Sequence, residues 1–188
     1  MNILSQRSSS SRRRHRGRSP KSLLLLLVMA GILYWIEQQR PDPDAAARGR
    51  YEGTCLKVID GDTIDVRADS GETFRIRLLG IDCMDTHEQE KINEQARRLD
   101  RTKSEVVRLG EKATSRVRAL IERKPIAWEV PEGTPLFDPH DRLLAYVELV
   151  DGTDLGEWLL REGLAETRRD RHPRAARYRS AAAAALAW

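Results

Sequence analysis

The sequence predicts an α+β domain: five short strands in an antiparallel sheet or small barrel, three or four helices packed on it, and an apolar N-terminal segment ahead of it. Three observations predict it. Strand-like runs follow one another between Gly53 and Ile81, punctuated by Asp60-Gly61 and Asp69-Ser70-Gly71. An apolar stripe at helical spacing occupies Ser104–Arg123. Two further strand-like runs, Pro125–Val130 and Leu143–Val150, come after that helix.

The N-terminal region is separate in character. Residues 1–22 hold seven basic residues and no acid, so they read as a basic, Ser- and Arg-rich disordered tail. They also carry the whole positive balance of the chain. The formal net charge is +4, but removing the tail leaves 26 basic against 29 acidic residues, or −3 for residues 23–188. That excludes a generally basic nucleic-acid-binding surface on the folded part, so phosphate attraction has to come from local arginines or a metal ion.

Leu23–Ile36 is a run of fourteen residues without a charge. It is shorter than the roughly 17–25 residues of a typical span, although Tyr34 and Trp35 sit where an interfacial aromatic belt would lie. It reads as a transmembrane anchor, as a cleaved signal peptide, or as a buried or organelle-targeting segment. Under the first two readings the basic end stays cytoplasmic and the domain is exported, periplasmic or extracellular; it is secreted if the segment is cut. Residues 37–50 are polar and contain Pro41 and Pro43, which marks a linker. The folded domain is therefore expected over residues 51–188.

Within it, residues 53–59 and 62–68 read as strands joined at Asp60-Gly61, a tight-turn signal. Thr73–Ile81 alternates, with Phe74, Ile76 and Leu78 on one face and Arg75, Arg77 and Leu79 on the other. Residues 86–103 are polar and helix-prone. In the next helix Val106, Val107, Ala113, Val117, Leu120 and Ile121 form the stripe, with Gly110 as a break or kink. Asp154 is placed to cap a short helix, with Glu157 as capping-box partner and Gly163 as its stop. Pro173 opens a final Ala-rich helix running to Trp188. Cys55 and Cys83 fall on or beside strands, either as a disulfide, which export permits, or as two free buried thiols.

The polar residues then suggest chemistry. Carboxylates cluster at Asp60–Asp62 and Asp82–Asp85, Arg77 lies on the strand leading into the second cluster, and Asp141-Arg142 opens a later strand. Such a set suits a hard metal ion and a phosphate held side by side, which phosphodiester hydrolysis requires. Each piece also has a plain structural reading: Asp60 and Asp62 as turn residues, Arg77 as an exposed strand residue paired with Glu72, Asp141-Arg142 as a hairpin shoulder, Asp82 and Asp85 as helix caps.

Four segments, Asp60-Gly61-Asp62-Thr63, Arg77-Leu78-Leu79-Gly80-Ile81-Asp82, Asp141-Arg142-Leu143-Leu144-Ala145-Tyr146 and Leu160-Arg161-Glu162-Gly163-Leu164-Ala165, resemble the staphylococcal nuclease (thermonuclease) family in the family's order. The resemblance covers about residues 51–180. It implies a five-stranded OB-type barrel with packed helices, and calcium-dependent hydrolysis of DNA and/or RNA by what is expected to be a monomer, with single-stranded nucleic acid as substrate. It further implies that Asp62, Asp82 and the Cys83 backbone carbonyl ligate calcium and that Arg77 and Arg142 hold the phosphate. Asp85 would act on the attacking water, and His140, where members often carry a tyrosine, is a weak substrate contact. The chain departs from the family in reading Met84-Asp85 where Pro-Glu is usual, and in a longer segment between Asp85 and Gly110. That departure leaves a second reading open, a non-catalytic module of the same fold that binds nucleic acid or protein.

Overall fold

In a computed structural model of the protein, the described residues are 29–30, 47–169 and 171–185. The segment read as an anchor therefore lies, apart from Met29 and Ala30, outside the described residues. Among those described, no helix is long and apolar enough to cross a membrane.

Five strands close a barrel in the order β1 (Gly49–Val58), β2 (Thr63–Ala68), β3 (Thr73–Leu78), β6 (Leu143–Glu148), β5 (Pro125–Val130). All neighbours are antiparallel except β3 and β6, which run parallel and pair Arg77 with Leu144. Closure leaves the barrel without a free edge. Val58, Ile64, Val66, Ile76, Leu78, Trp128 and Val147 belong to its buried core. The barrel begins two residues before the expected Tyr51, where Arg48 donates to the carbonyls of Pro131 (2.6 Å) and Thr134 (2.9 Å).

The run Thr73–Ile81 is not one strand. It stops at Leu78, turns through Leu79 and Gly80 (φ +83°), and resumes as β4 (Ile81–Cys83), which pairs with a late strand β7 (Ala165–Thr167) in a separate two-stranded sheet. The positive φ at Gly80 is the reason the turn takes a glycine. Alternation across it is continuous, so periodicity alone could not reveal the break.

Two helices follow: α1 (Gln89–Leu99) and α2 (Lys103–Ile121). The second starts one residue before Ser104, because Thr102 and Glu105 form a reciprocal capping box. Its face Ala113, Val117 and Ile121 packs on the barrel core, while Val106 joins Met84, Ile92 and Ala96 in a second, smaller core. Gly110 does not break this helix, which runs on through it. A Cβ there would lie 2.3 Å from the Met84 carbonyl oxygen, so glycine is what lets α2 approach the loop after β4.

The C-terminal part is α3 (Leu155–Arg161), β7 and α4 (Ala175–Ala185). Asp154 caps α3 by accepting from Glu157 N–H (3.0 Å), but the Glu157 carboxylate pairs with Arg161 and Arg177 instead of closing a capping box. The final helix begins after Arg174, not at Pro173, because Arg174 reaches back to Asp154 (2.6 Å) and Glu148 (2.9 Å) and lies over the Tyr146 ring at 4.2 Å. Asp154 is nearly fully buried and also accepts from Tyr178 O–H (2.8 Å). Cys55 and Cys83 are both free and buried, and burial pushes the Cys55 thiol up to about 11.

Two stability outcomes follow. Arg174→Met leaves the buried Asp154 carboxylate without its guanidinium and should cost on the order of 3 kcal/mol in urea unfolding. Gly110→Ala would stabilise an open helix by up to about 1 kcal/mol, but here the Met84 carbonyl is in the way, so a net loss of about 1–3 kcal/mol is expected. An acid limit is also expected. Burial raises the Glu148 and Glu157 carboxyls, yet their arginine hydrogen bonds outweigh it and hold both below the ordinary 4.5. A lowered folded value contributes stability that is complete above the unfolded value and lost as pH falls through the folded one. Urea midpoints measured against pH should therefore decline below about pH 4.5 and be flat with respect to these two groups above it.

Candidate active site

The turn Asp60–Asp62 is set by Asp62 N–H donating to Asp60 Oδ1 (3.0 Å), and it leads directly into β2. Register then places Thr63 opposite Arg77, and Leu78 N–H donates to the Asp62 carbonyl (2.8 Å). Asp62 and Arg77 thus meet across adjacent strands, and the Gly80 turn brings Asp82 back beside them.

Arg77 is buried and bridges both acids: Nη1 lies 3.1 Å from Asp62 Oδ2 and Nη2 lies 2.8 Å from Asp82 Oδ1. It is therefore not the exposed partner of Glu72. Asp62 Oδ2 also accepts from Cys83 N–H (2.6 Å). Burial still pushes the Asp62 carboxyl up to about 6 against the pull of Arg77, with Asp60 and Asp82 adding repulsion. It is a carboxylate short of positive charge.

Arg142 reaches the same neighbourhood from β6. Its Nη1 lies 3.3 Å from Thr63 Oγ1, and Asp138 holds it through Nε (2.7 Å) and Nη2 (2.6 Å). Asp138 Oδ1 also accepts from the N–H groups of His140 (2.9 Å) and Arg142 (3.0 Å), which shapes the loop in which Asp141 adopts φ +56°. Arg77, Arg142, His140, Arg168 and Arg171 line one cavity of about 650 Å³. Asp60, Asp62, Cys83, Asp85 and Lys91 line another, of about 250 Å³. Arg77 therefore joins a cationic cavity to an acidic one, lining the first and pairing with Asp62 in the second.

Asp85 is arranged as a turn former. Its Oδ1 accepts from the N–H groups of His87 and Glu88, each at 2.8 Å; this is a turn ahead of α1 and not the expected helix cap, since the N-cap position is Glu88 and has no side-chain cap. Burial raises its carboxyl, but those N–H groups and Lys91 outweigh it and hold it below its usual range. Oδ2 carries no such backbone bond and faces Lys91 Nζ at 3.4 Å. The whole segment is anchored by Met84, buried with Ile92, Ala96 and Val106, and by Gln95. Gln95 accepts from Asp85 N–H (2.8 Å) and donates to the Cys83 carbonyl (3.2 Å) and Asp82 Oδ2 (3.3 Å).

The donor set suits a hard divalent cation in kind and charge. Asp60, Asp62, Asp82, Asp85 and Glu88 stand against two cations, Arg77 and Lys91, an excess of three negative charges. All donors are oxygens, and the Cys83 carbonyl keeps a lone pair beyond the one Gln95 uses. Among the described residues no three His, Cys, Asp or Glu side chains already converge at metal-holding spacing, since the carboxylates turn to Arg77 and Lys91.

Lys91, Gln95, Asp138, Arg168 and Arg171 are absent from the residues singled out in the sequence. Lys91 and Gln95 were within reach, being one helical turn apart in a segment already read as helix-prone. Asp138-Pro139 is a turn signal whose tie to Arg142 is local. Nothing local marks Arg168 and Arg171, which depend on β7 pairing with β4.

The family described as staphylococcal nuclease homologue matches residues 75–187. The chain is similar to Endonuclease YhcR of Bacillus subtilis, 28% identical over 143 residues, which is 76% of this chain and 11% of that protein. It is also similar to Uncharacterized protein MJ1439 of Methanocaldococcus jannaschii, 30% identical over 122 residues, 61% of this chain and 58% of that protein. The chain thus spans about a tenth of the first relative and somewhat over half of the second. With the family matched across more than half its length, over β3, β4 and every later element, the chain belongs to the staphylococcal nuclease family.

Proposed function

We propose that the protein is a calcium-dependent nuclease that hydrolyses phosphodiester bonds of single-stranded DNA or RNA. The observation that carries this reading is Arg77, buried at the junction of a cationic and an acidic cavity and in contact with both Asp62 and Asp82. Family membership and the similarity to a protein named an endonuclease support it.

On this reading Asp62, Asp82 and the Cys83 carbonyl would hold calcium, which when bound polarises a phosphoryl oxygen and lowers the pKa of a bound water. The chain's own residues supply the rest. The scissile phosphate enters the larger cavity, where Arg77 and Arg142 donate to its equatorial oxygens as charge builds there in in-line attack. Asp138 and Thr63 orient Arg142, and Asp62 and Asp82 orient Arg77. Asp85 Oδ2 accepts a hydrogen bond from the attacking water, and its lowered pKa makes it an orienting group more than a strong base. Arg168, Arg171 and His140 contact flanking phosphate or base. The N-terminal run 23–36, with the basic tail before it, anchors a monomeric, exported domain; what supports this is the charge asymmetry around the run.

A second reading, a binding module without catalysis, is favoured by one observation: Asp85 Oδ1 is occupied by two backbone N–H groups.

The test is cleavage of single-stranded DNA and RNA by the full chain with added calcium. Arg142→Ala should lower kcat by about 100-fold or more, the usual effect of removing one donor to a developing oxyanion. Cleavage no faster than that of Arg142→Ala overturns the nuclease reading. Asp85→Glu separates the two readings: a gain in rate shows a working site with a short carboxylate, whereas inactivity of both forms with retained oligonucleotide binding supports the module.

A further inference from the structure

Lys91 has no part in the reaction described above, yet it is the one cation other than Arg77 that the described residues bring to the acidic cavity. Its Nζ lies 3.6 Å from Asp82 Oδ1 and 3.4 Å from Asp85 Oδ2. These separations are those of an ion pair without a tight hydrogen bond, so the charge is delivered but not locked.

Its placement is built. Lys91 sits in the first turn of α1, next to Ile92, which is buried in the second core with Met84 and Val106. One turn on, Gln95 bonds Asp82, the Cys83 carbonyl and Asp85 N–H. The helix register is thereby tied to the same three residues that present the site's oxygens, while the lysine stem stays half-exposed and can swing.

We propose that Lys91, held near the site by its ion pair with Asp85, is a tethered cation that competes with calcium for the Asp82 carboxylate and so sets the calcium concentration at which the site loads. This rests on the calcium reading above. An ammonium 3.6 Å from an oxygen of the ligand Asp82 repels an incoming divalent ion and has to give up that ion pair when the ion arrives; both effects oppose binding. Three negative charges nevertheless remain in excess with Lys91 in place, so loading is weakened and not abolished. Lys91 is thus a positioning residue acting through charge, outside the set of groups that touch substrate.

The experiment is calorimetric titration of the full chain with calcium, without nucleic acid, for the native protein, Lys91→Met and Lys91→Arg. Methionine keeps helix propensity and the apolar stem while removing the charge; melting curves without calcium check that each variant folds. Lys91→Met should bind calcium roughly tenfold more tightly, the low end of the effect of residues that surround metal ligands. Lys91→Arg, which keeps the charge, should stay near the native affinity. Equal or weaker binding by Lys91→Met overturns the proposal, as does tightening in Lys91→Arg that matches it. The two readings fail differently: equal affinity in all three proteins leaves the calcium site standing and removes the role of Lys91, whereas absence of calcium binding in all three removes both.

Discussion

A buried guanidinium with two carboxylates is the constraint around which the site end of this fold is arranged. Arg77 loses its water when β3 packs between β2 and β6, and a charge moved out of water without partners costs several kcal/mol. Asp62 and Asp82 meet that demand from opposite directions, one from the start of β2 and one from β4 beyond the Gly80 turn. The turn has to be tight, the register between Thr63 and Arg77 has to hold, and β4 has to leave the barrel to place Asp82. A slip by one residue would turn Arg77 to the opposite face. The geometry that satisfies Arg77 also puts two carboxylates and a backbone carbonyl next to one another.

The second core explains how this chain manages with Met84-Asp85. A proline stiffens a loop through its ring. Here the loop is held instead by burial of the Met84 side chain with Ile92, Ala96 and Val106, each large side chain worth about 1.5–3 kcal/mol when fully removed from water. The close approach of α2 at Gly110 and the three hydrogen bonds of Gln95 act on the same loop. The segment between Asp85 and Gly110, read from the sequence as an enlargement near the site, is the element that supplies this support as α1.

Most of the barrel was legible in the sequence, because its strands alternate and its turns carry Asp-Gly or Ser-Gly. The β4–β7 sheet was not: β4 is three residues long, follows β3 without a change of pattern, and pairs with a strand some eighty residues later. The site divides the same way. Asp62, Arg77, Asp82 and Arg142 could be singled out because they stand at strand ends in recognisable order. What each touches could not. The bridging by Arg77 depends on register, the turn-forming role of Asp85 on backbone N–H groups, and the reach of Lys91 and Gln95 on a helix whose exact phase only packing sets. The reading of Gly110 as a break failed for a related reason: its low helix propensity was visible, but the carbonyl it makes room for lies twenty-six residues away.

Both arginines proposed to hold phosphate are already engaged at rest, Arg77 by Asp62 and Asp82 and Arg142 by Asp138. The chain beyond its tail is net acidic, at −3. A polyanion approaching the ion-free site therefore meets Arg168 and Arg171 on the cavity wall before it can draw on Arg77 or Arg142, and a divalent ion bound among the acids would add positive charge where those two are already paired. If Asp62 and Asp82 held an ion, as proposed, the donors of Arg77 that they occupy would become available to phosphate. Under the proposed nuclease reading, binding energy would then be withheld from the ion-free protein and released where charge accumulates, the distribution that favours kcat over simple retention of substrate. On this argument metal loading and phosphate recognition are one coupled equilibrium through Arg77, so calcium and a phosphate-bearing ligand should each tighten the other's binding by the same factor, as linkage requires.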